Sequence, residues 1–123
     1  MQSKYMKAVT KYYIDEDIFL IKTFDKYEYE TSLELEEGVI LDFDINNNPI
    51  ALEILDASKI FKLKDKNLFN SIKKLEMNVE ATEELIRVKV EIEFNQKNKI
   101  SSLKSYVLNT IKAPVMETEI VTS

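Results

Sequence analysis

From Tyr29 to Leu55 the chain alternates apolar and polar residues almost without a break. A period of two commits a segment to half-buried β-strand, because successive side chains point to opposite sides of the pleat. In "YETSLELEEGVILDFDINNNPIALEIL", Tyr29, Thr31, Leu33 and Leu35 share one face. Val39, Leu41, Phe43 and Ile45 share the next, followed by Ile50, Leu52 and Ile54. A three-residue loop Glu36-Glu37-Gly38 pairs Leu35 with Val39, Leu33 with Leu41 and Thr31 with Phe43, all apolar side to apolar side. Such loops end in a residue of positive φ, and the chain's one glycine stands there. For the second turn, a four-residue loop Asn46–Pro49 pairs Ile45 with Ile50, Phe43 with Leu52 and Leu41 with Ile54; asparagine suits it through local hydrogen bonds and tolerance of left-handed φ.

The same grammar extends both ways. "KYYI" and "IFLIKTF" flank the polar Asp15-Glu16-Asp17 and form an earlier hairpin, so residues 1–64 are expected to be a four-stranded antiparallel meander. Asp56 stands where a helical turn would be capped. Leu68, Phe69, Ile72 and Leu75 follow helical spacing after Asp65 and predict a helix packed on the sheet. Two strands come next, through Leu75–Ala81 and Ile86–Phe94. "ISSLKSYVLNT" is assigned as strand on its β-formers, and the tail after Pro114 as a short edge strand or frayed end. The fold expected is α+β and β-rich: an antiparallel meander with one or two short helices in a single compact domain of 123 residues, 65–123 supplying a helix and further strands.

The chain has no cysteine and no histidine. That excludes disulfides, thiolate or Ser–His–Asp nucleophiles and the usual zinc ligand sets. Any metal would be held by oxygen, which favours calcium, magnesium or manganese. The longest uninterrupted apolar run, "IFLI", is far short of a membrane span, so no membrane partner is expected and the location expected is the cytoplasm. Between residues 15 and 56, two lysines face thirteen carboxylates. Such a surface repels phosphate backbones and attracts cations or basic proteins, so nucleic acid is not an expected partner.

"LDFDINNNPIALEIL" carries Asp42, Asp44, Asn46 and Asn48 in steps of two and Glu53 at the twelfth position, most of the ligand spacing of an EF-hand loop. Both flanks alternate with period two, however, whereas that loop joins two helices, and Pro49 lacks the backbone N–H a paired loop needs. In the strand register above, Asp42 faces Glu53, Glu30 faces Asp44 and Ser32 faces Asp42 on the side away from the core. Like charges opposed across strands are destabilising. Their accumulation implies a cation, a basic partner or a face solvated enough to screen them. The candidate metal residues are therefore Asp42, Asp44, Glu53 and Glu30, and the candidate partner-binding residues Glu30, Glu34, Asp42, Asp44 and Glu53. Tyr12, Tyr13 and Tyr106 are read as sheet-packing aromatics, Asp15–Asp17 as turn residues, and Asp56 and Ser58 as caps.

Three stretches, "YYIDEDIFLI" at 12–21, "LEEGVILDFD" at 35–44 and "LEILDASKIF" at 52–61, resemble the domain-of-unknown-function family 2283 (DUF2283). The chain departs from it with Asn47 or Asn48 and Ala51 where the family carries glycines, and with Ile14 inserted between Tyr13 and Asp15. The resemblance implies a small prokaryotic β-meander protein without assigned activity or cofactor; an association with small toxin-like genes implies an antitoxin-like role. The leading expectation is a non-enzymatic interaction module whose acidic sheet face binds a basic protein. The alternatives are a calcium- or magnesium-binding protein and, third, a metal-assisted carboxylate enzyme. Exposed strand edges, if present, would invite a homodimer.

Overall fold

An apolar strand face has to be covered, and this chain has little helix to cover it with. The computed structural model describes residues 2–23, 28–96 and 99–122. They form β1 (Gln2–Tyr13), β2 (Ile18–Thr23), β3 (Tyr29–Glu34), β4 (Val39–Asp44), β5 (Pro49–Ile54), α1 (Ala57–Ile60), a 3₁₀ turn (Lys66–Asn70), β6 (Ile72–Ala81), β7 (Leu85–Phe94), β8 (Ile100–Leu108) and β9 (Met116–Thr122). All nine strands belong to one sheet, in the order β3-β4-β5-β2-β1-β9-β6-β7-β8. Leu41, Phe43, Leu52, Val79, Ile86 and Val90 are nonetheless fully buried, and they share one core cluster. Two helical pieces of four and five residues cannot shield nine strands, so the sheet curls and its inner face covers itself.

β1 makes this geometry workable. Its first part, Gln2–Ala8, runs parallel to β9, whereas its second part, Ala8–Tyr13, runs antiparallel to β2. Ala8 alone pairs on both sides, with Thr23 and with Thr122, and it is 2% exposed. A small side chain at the junction lets the two halves of the sheet approach closely. At the open end of the core Phe69, carried by the 3₁₀ turn, sits 4.4 Å from Tyr12, 4.9 Å from Phe19, 5.9 Å from Phe61 and 6.2 Å from Phe94, ring centre to ring centre. One ring thus ties the N-terminal strands to β7.

The first turn folds as its sequence requires. Leu35 N–H donates to Val39 O at 2.8 Å, Leu33 pairs with Leu41, Thr31 with Phe43, and Gly38 has φ +84°. A Cβ at Gly38 would touch Leu55 at 3.4 Å, so both conformation and space ask for glycine.

Other expectations are corrected. Residues 1–64 hold five strands where four were expected, and β2 does not neighbour β3: it pairs with β5, so the N-terminal half is a hairpin joined to a three-stranded meander. β5 suits an interior place because Ile50, Ala51, Leu52 and Ile54 are all buried and its proline occupies the first position. The last residue of the expected second strand, Phe24, lies outside the described residues. The second turn begins earlier than expected: Asp44 N–H bonds Asn48 O, and Leu41 pairs with Leu52, not Ile54. This shift of two residues keeps Leu41, Phe43, Leu52 and Ile54 inward and leaves Ile45, 52% exposed, in the turn. The helix expected after Asp65 is only the 3₁₀ turn, begun by the Asp65 carboxylate accepting from Asn67 N–H at 2.9 Å. Ile72 and Leu75 belong instead to β6, which gains partners on both sides, so the fold is β-rich with almost no helix. The C-terminal strand is not an edge: β9 lies between β1 and β6 with Thr118 and Ile120 buried.

Removing the Phe69 ring takes a hub from between the two halves. Phe69→Ala is expected to cost about 3–5 kcal/mol, read as a fall in the urea midpoint; a change under about 1 kcal/mol would mean the aromatic cluster is not what joins them.

Candidate functional site

The outer face of the N-terminal strands is laid out by register. One row reads Val9, Lys22, Ala51, Asp42, Ser32, and the adjacent row Lys11, Leu20, Glu53, Ile40, Glu34. Asp42 therefore faces Ala51 and Glu53 faces Ile40, so the expected Asp42–Glu53 opposition does not form; the register shift in the second turn separates them. Ser32 does stand opposite Asp42, and its hydroxyl donates to the Asp42 carboxylate at 2.5 Å. Glu30 falls in a bulge, and Tyr29 takes its expected place opposite Asp44. Glu34 is exposed on the outer row.

Asp44 is only 7% exposed. One carboxylate oxygen accepts from Asn46 N–H and Asn48 N–H, both at 2.9 Å, and the other from the Asn48 side-chain amide at 3.2 Å. Asn47 beside it has φ +62°. Asp44 thus builds the turn, and this is why the turn begins one residue early. Among the described residues no three carboxylates come together as a metal would require.

Glu53 joins a residue that pattern reading left aside. A surface depression of about 390 Å³ is lined by Tyr13, Glu16, Ile18, Leu20 and Glu53. Two carboxylates beside apolar walls fit a long cationic side chain, which buries its methylenes and keeps its charge at the rim. The Lys11 ammonium already lies 5.0 Å from the centre of the Tyr13 ring, so an incoming charge is left to Glu16 and Glu53. Tyr13 and Tyr106 are 39% and 63% exposed, contrary to the packing role expected, because both stand on outward-facing strand positions. A second groove, of about 530 Å³, runs over β6–β8 between Asn78, Glu80, Arg87, Lys89, Lys104 and Tyr106. Nothing in the alternation singled it out, since its residues come from three strands.

The best-organised polar cluster is Asp17, Tyr12 and Ser58. Asp17 closes the β1–β2 turn with φ +55° and is 7% exposed. Its carboxylate accepts from Tyr12 Oη at 2.6 Å, from Ser58 Oγ at 2.6 Å and from Ser58 N–H at 3.0 Å, while its carbonyl accepts from Ala57 N–H at 2.9 Å. The cap of α1 is therefore supplied across the fold. Asp56, the cap expected, sits at φ +50° with no side-chain bond to the helix. Burial pushes the Asp17 carboxyl upward, but the Ser58 and Tyr12 hydrogen bonds and the Lys66 charge outweigh it, and the net shift is downward. Burial raises the Tyr12 phenol, and its bond to Asp17 and that carboxylate's charge raise it further. An acid held ionised beside a phenol held protonated is the reverse of catalytic poise at neutral pH. The cluster is a latch.

The latch draws three stretches together. Tyr12 and Asp17 come from the first, Ser58 from the last, and Gly38 of the middle one accepts from Leu55 N–H at 2.7 Å. The chain belongs to the family described as "Protein of unknown function (DUF2283)", whose pattern it matches over residues 10–58, from just before Tyr12 to Ser58 itself. It is 38% identical over 112 residues to a Methanosarcina mazei protein named "Putative hypoxanthine phosphoribosyltransferase", covering 87% of this chain and 88% of that one. It is 29% identical over 108 residues to "Uncharacterized protein MJ0789" of Methanocaldococcus jannaschii, covering 86% and 91%. No solved structure matches the chain.

Asp17→Asn keeps the shape and the left-handed preference but removes the charge. It is expected to cost about 2–4 kcal/mol at neutral pH through weakened charge-assisted bonds and poorly matched donors. The folded carboxyl is more acidic than the unfolded one, so its stabilisation is complete above about pH 4 and fades below it. Urea melts from pH 7 to pH 3 should show wild type and variant converging as pH falls; a constant gap would contradict the assignment.

Proposed function

We propose that this chain is a non-enzymatic interaction module that takes a basic protein segment on the outer face of its N-terminal strands. The observation that carries the proposal is the depression between Glu16, Glu53, Ile18 and Leu20, shaped for a lysine or arginine side chain. The surroundings favour the same occupant. The sequence between residues 15 and 56 has two lysines against thirteen carboxylates. Asp17 and Asp44 are buried in internal bonds, whereas Asp42, which accepts from Ser32, and Glu34, which accepts from Gly38 N–H, stay at the surface. Glu34 and Asp42 lie on the same outer face as Glu53, placed to meet further positive charges along an extended segment. A toxin-neutralising partner would be one instance of such a module. The divalent-cation reading draws less support, because Asp42 and Glu53 are not opposed and Asp44 is spent on its turn.

The name of the Methanosarcina relative raises phosphoribosyl transfer. The one glycine of this chain sits in the β3–β4 turn against Leu55, and the helical segments among the described residues have four and five residues. A glycine-rich loop, one usual cradle for phosphate, thus has no counterpart among the described residues, and the first N–H groups of α1 are taken by Asp17.

The test is fluorescence anisotropy with a labelled arginine-rich extended peptide at low salt. Glu16→Gln/Glu53→Gln is expected to weaken binding about fivefold to tenfold. Glu83→Gln/Glu84→Gln, the same charge change at an exposed turn elsewhere, should leave it unchanged. Equal losses in both pairs would reduce the effect to net charge and sink the proposal.

A further inference from the structure

The two edges of the sheet are built differently. β3 has six residues, is bulged between Tyr29 and Thr31, and carries Glu30 and Glu34. These are the devices that discourage a strand from adding to an edge. β8 has nine residues, pairs with β7 without a break in register, and holds one charge, Lys104. Ile100, Tyr106 and Leu108 on its outward face are 61%, 63% and 64% exposed.

Its open hydrogen-bonding groups can be assigned. Phe94 N–H bonds Lys99 O at 2.9 Å and Asn109 N–H bonds Glu84 O at 2.8 Å, so the odd-numbered residues of β8 turn their backbone groups toward β7. Ile100, Ser102, Lys104 and Tyr106 therefore turn theirs outward, to an edge where no strand is paired among the described residues. Three buried hydroxyls have no hydrogen bond among the described residues, those of Thr23, Ser105 and Thr118, and of these Ser105 alone stands on an edge strand. Ser105 is 3% exposed and its hydroxyl has no hydrogen bond. A buried hydroxyl left unmatched is costly.

We propose that β8 pairs antiparallel with β8 of a second copy of this chain about a twofold axis at Ser105, giving a continuous sheet through the dimer. Full overlap of the two strands would centre on Lys104 and set Lys104 against its own copy. Since Lys89 already stands opposite Lys104 within the chain, that register would line up four ammonium groups. Moving the axis to Ser105 relieves this. Each Lys104 then lies opposite the partner's Tyr106, where a cation meets an aromatic face. Ser102 lies opposite the partner's Leu108, and the two Ser105 hydroxyls face each other in a closely spaced pair, each supplying the other's missing partner. The even-numbered backbone groups bond across the junction, as their outward orientation requires. This interface uses the opposite edge from the acidic face and does not depend on it.

Sedimentation equilibrium of the full chain at tens of micromolar is expected to give twice the 14.4 kDa monomer mass. Tyr106→Lys places one lysine opposite each Lys104, at both symmetry-related positions, and should raise the dissociation constant about tenfold or more. Adding Lys104→Glu should restore the dimer by converting the repulsion to attraction. Both positions are exposed on the outer face, and circular dichroism melts would report any loss of fold. The chain has no cysteine, so single substitutions read the register directly. Under mild oxidation Ser105→Cys should form a disulfide-linked dimer, because closely opposed strand positions match disulfide geometry; Leu103→Cys, Lys104→Cys and Ser102→Cys should not. A monomer at all concentrations, or preferential linkage at 103, 104 or 102, overturns the proposal.

Discussion

An apolar sheet face with almost no helix to cover it is the constraint on which the rest of this structure depends. Nine strands cannot stay flat under those terms, and the stagger of β1 is the solution. By giving half its length to β9 and half to β2, β1 lets one sheet serve as both walls of its own core. Phe69 then fills the gap where the walls meet. β9 closes the arrangement by pairing parallel to β1 and antiparallel to β6.

The family's three stretches mark how the N-terminal half is locked. Asp17 holds α1 by its side chain and by its backbone, and Leu55 is tied to Gly38. Carboxylates in this half therefore do two different jobs. Asp17 and Asp44 are buried and serve the backbone, whereas Glu16, Glu34 and Glu53 remain outside as a chemically usable surface. Composition could count them together; only burial separates them.

Much of the fold was legible in alternation and turn chemistry. The β3–β4 register followed from Gly38 and the apolar faces, and the β6–β7 hairpin from the strict alternation after Ile86. The second turn was misjudged because a shift of two residues preserves every face, so hydrophobic pattern cannot distinguish the two registers. Leu68, Phe69, Ile72 and Leu75 fit a helix until β6's partners are known. Strand order was hidden for the same reason, since nothing local says that β5 prefers β2 as its second neighbour. At the candidate site, Glu53 was legible as an outward carboxylate, but Glu16 was not. Its neighbourhood with Glu53 arises only when β2 and β5 pair.

The acidic, bulged edge at β3 has a further consequence for assembly size. A β-sheet with two receptive edges can extend without limit, and fibrils are the result. Joining two copies through β8 would leave a β3 edge at each end of the enlarged sheet, carrying Glu30 and Glu34. A third copy would meet like charge and a distorted ladder. In such a pair the sequence of one short strand would terminate growth and protect a strand-rich chain from polymerising.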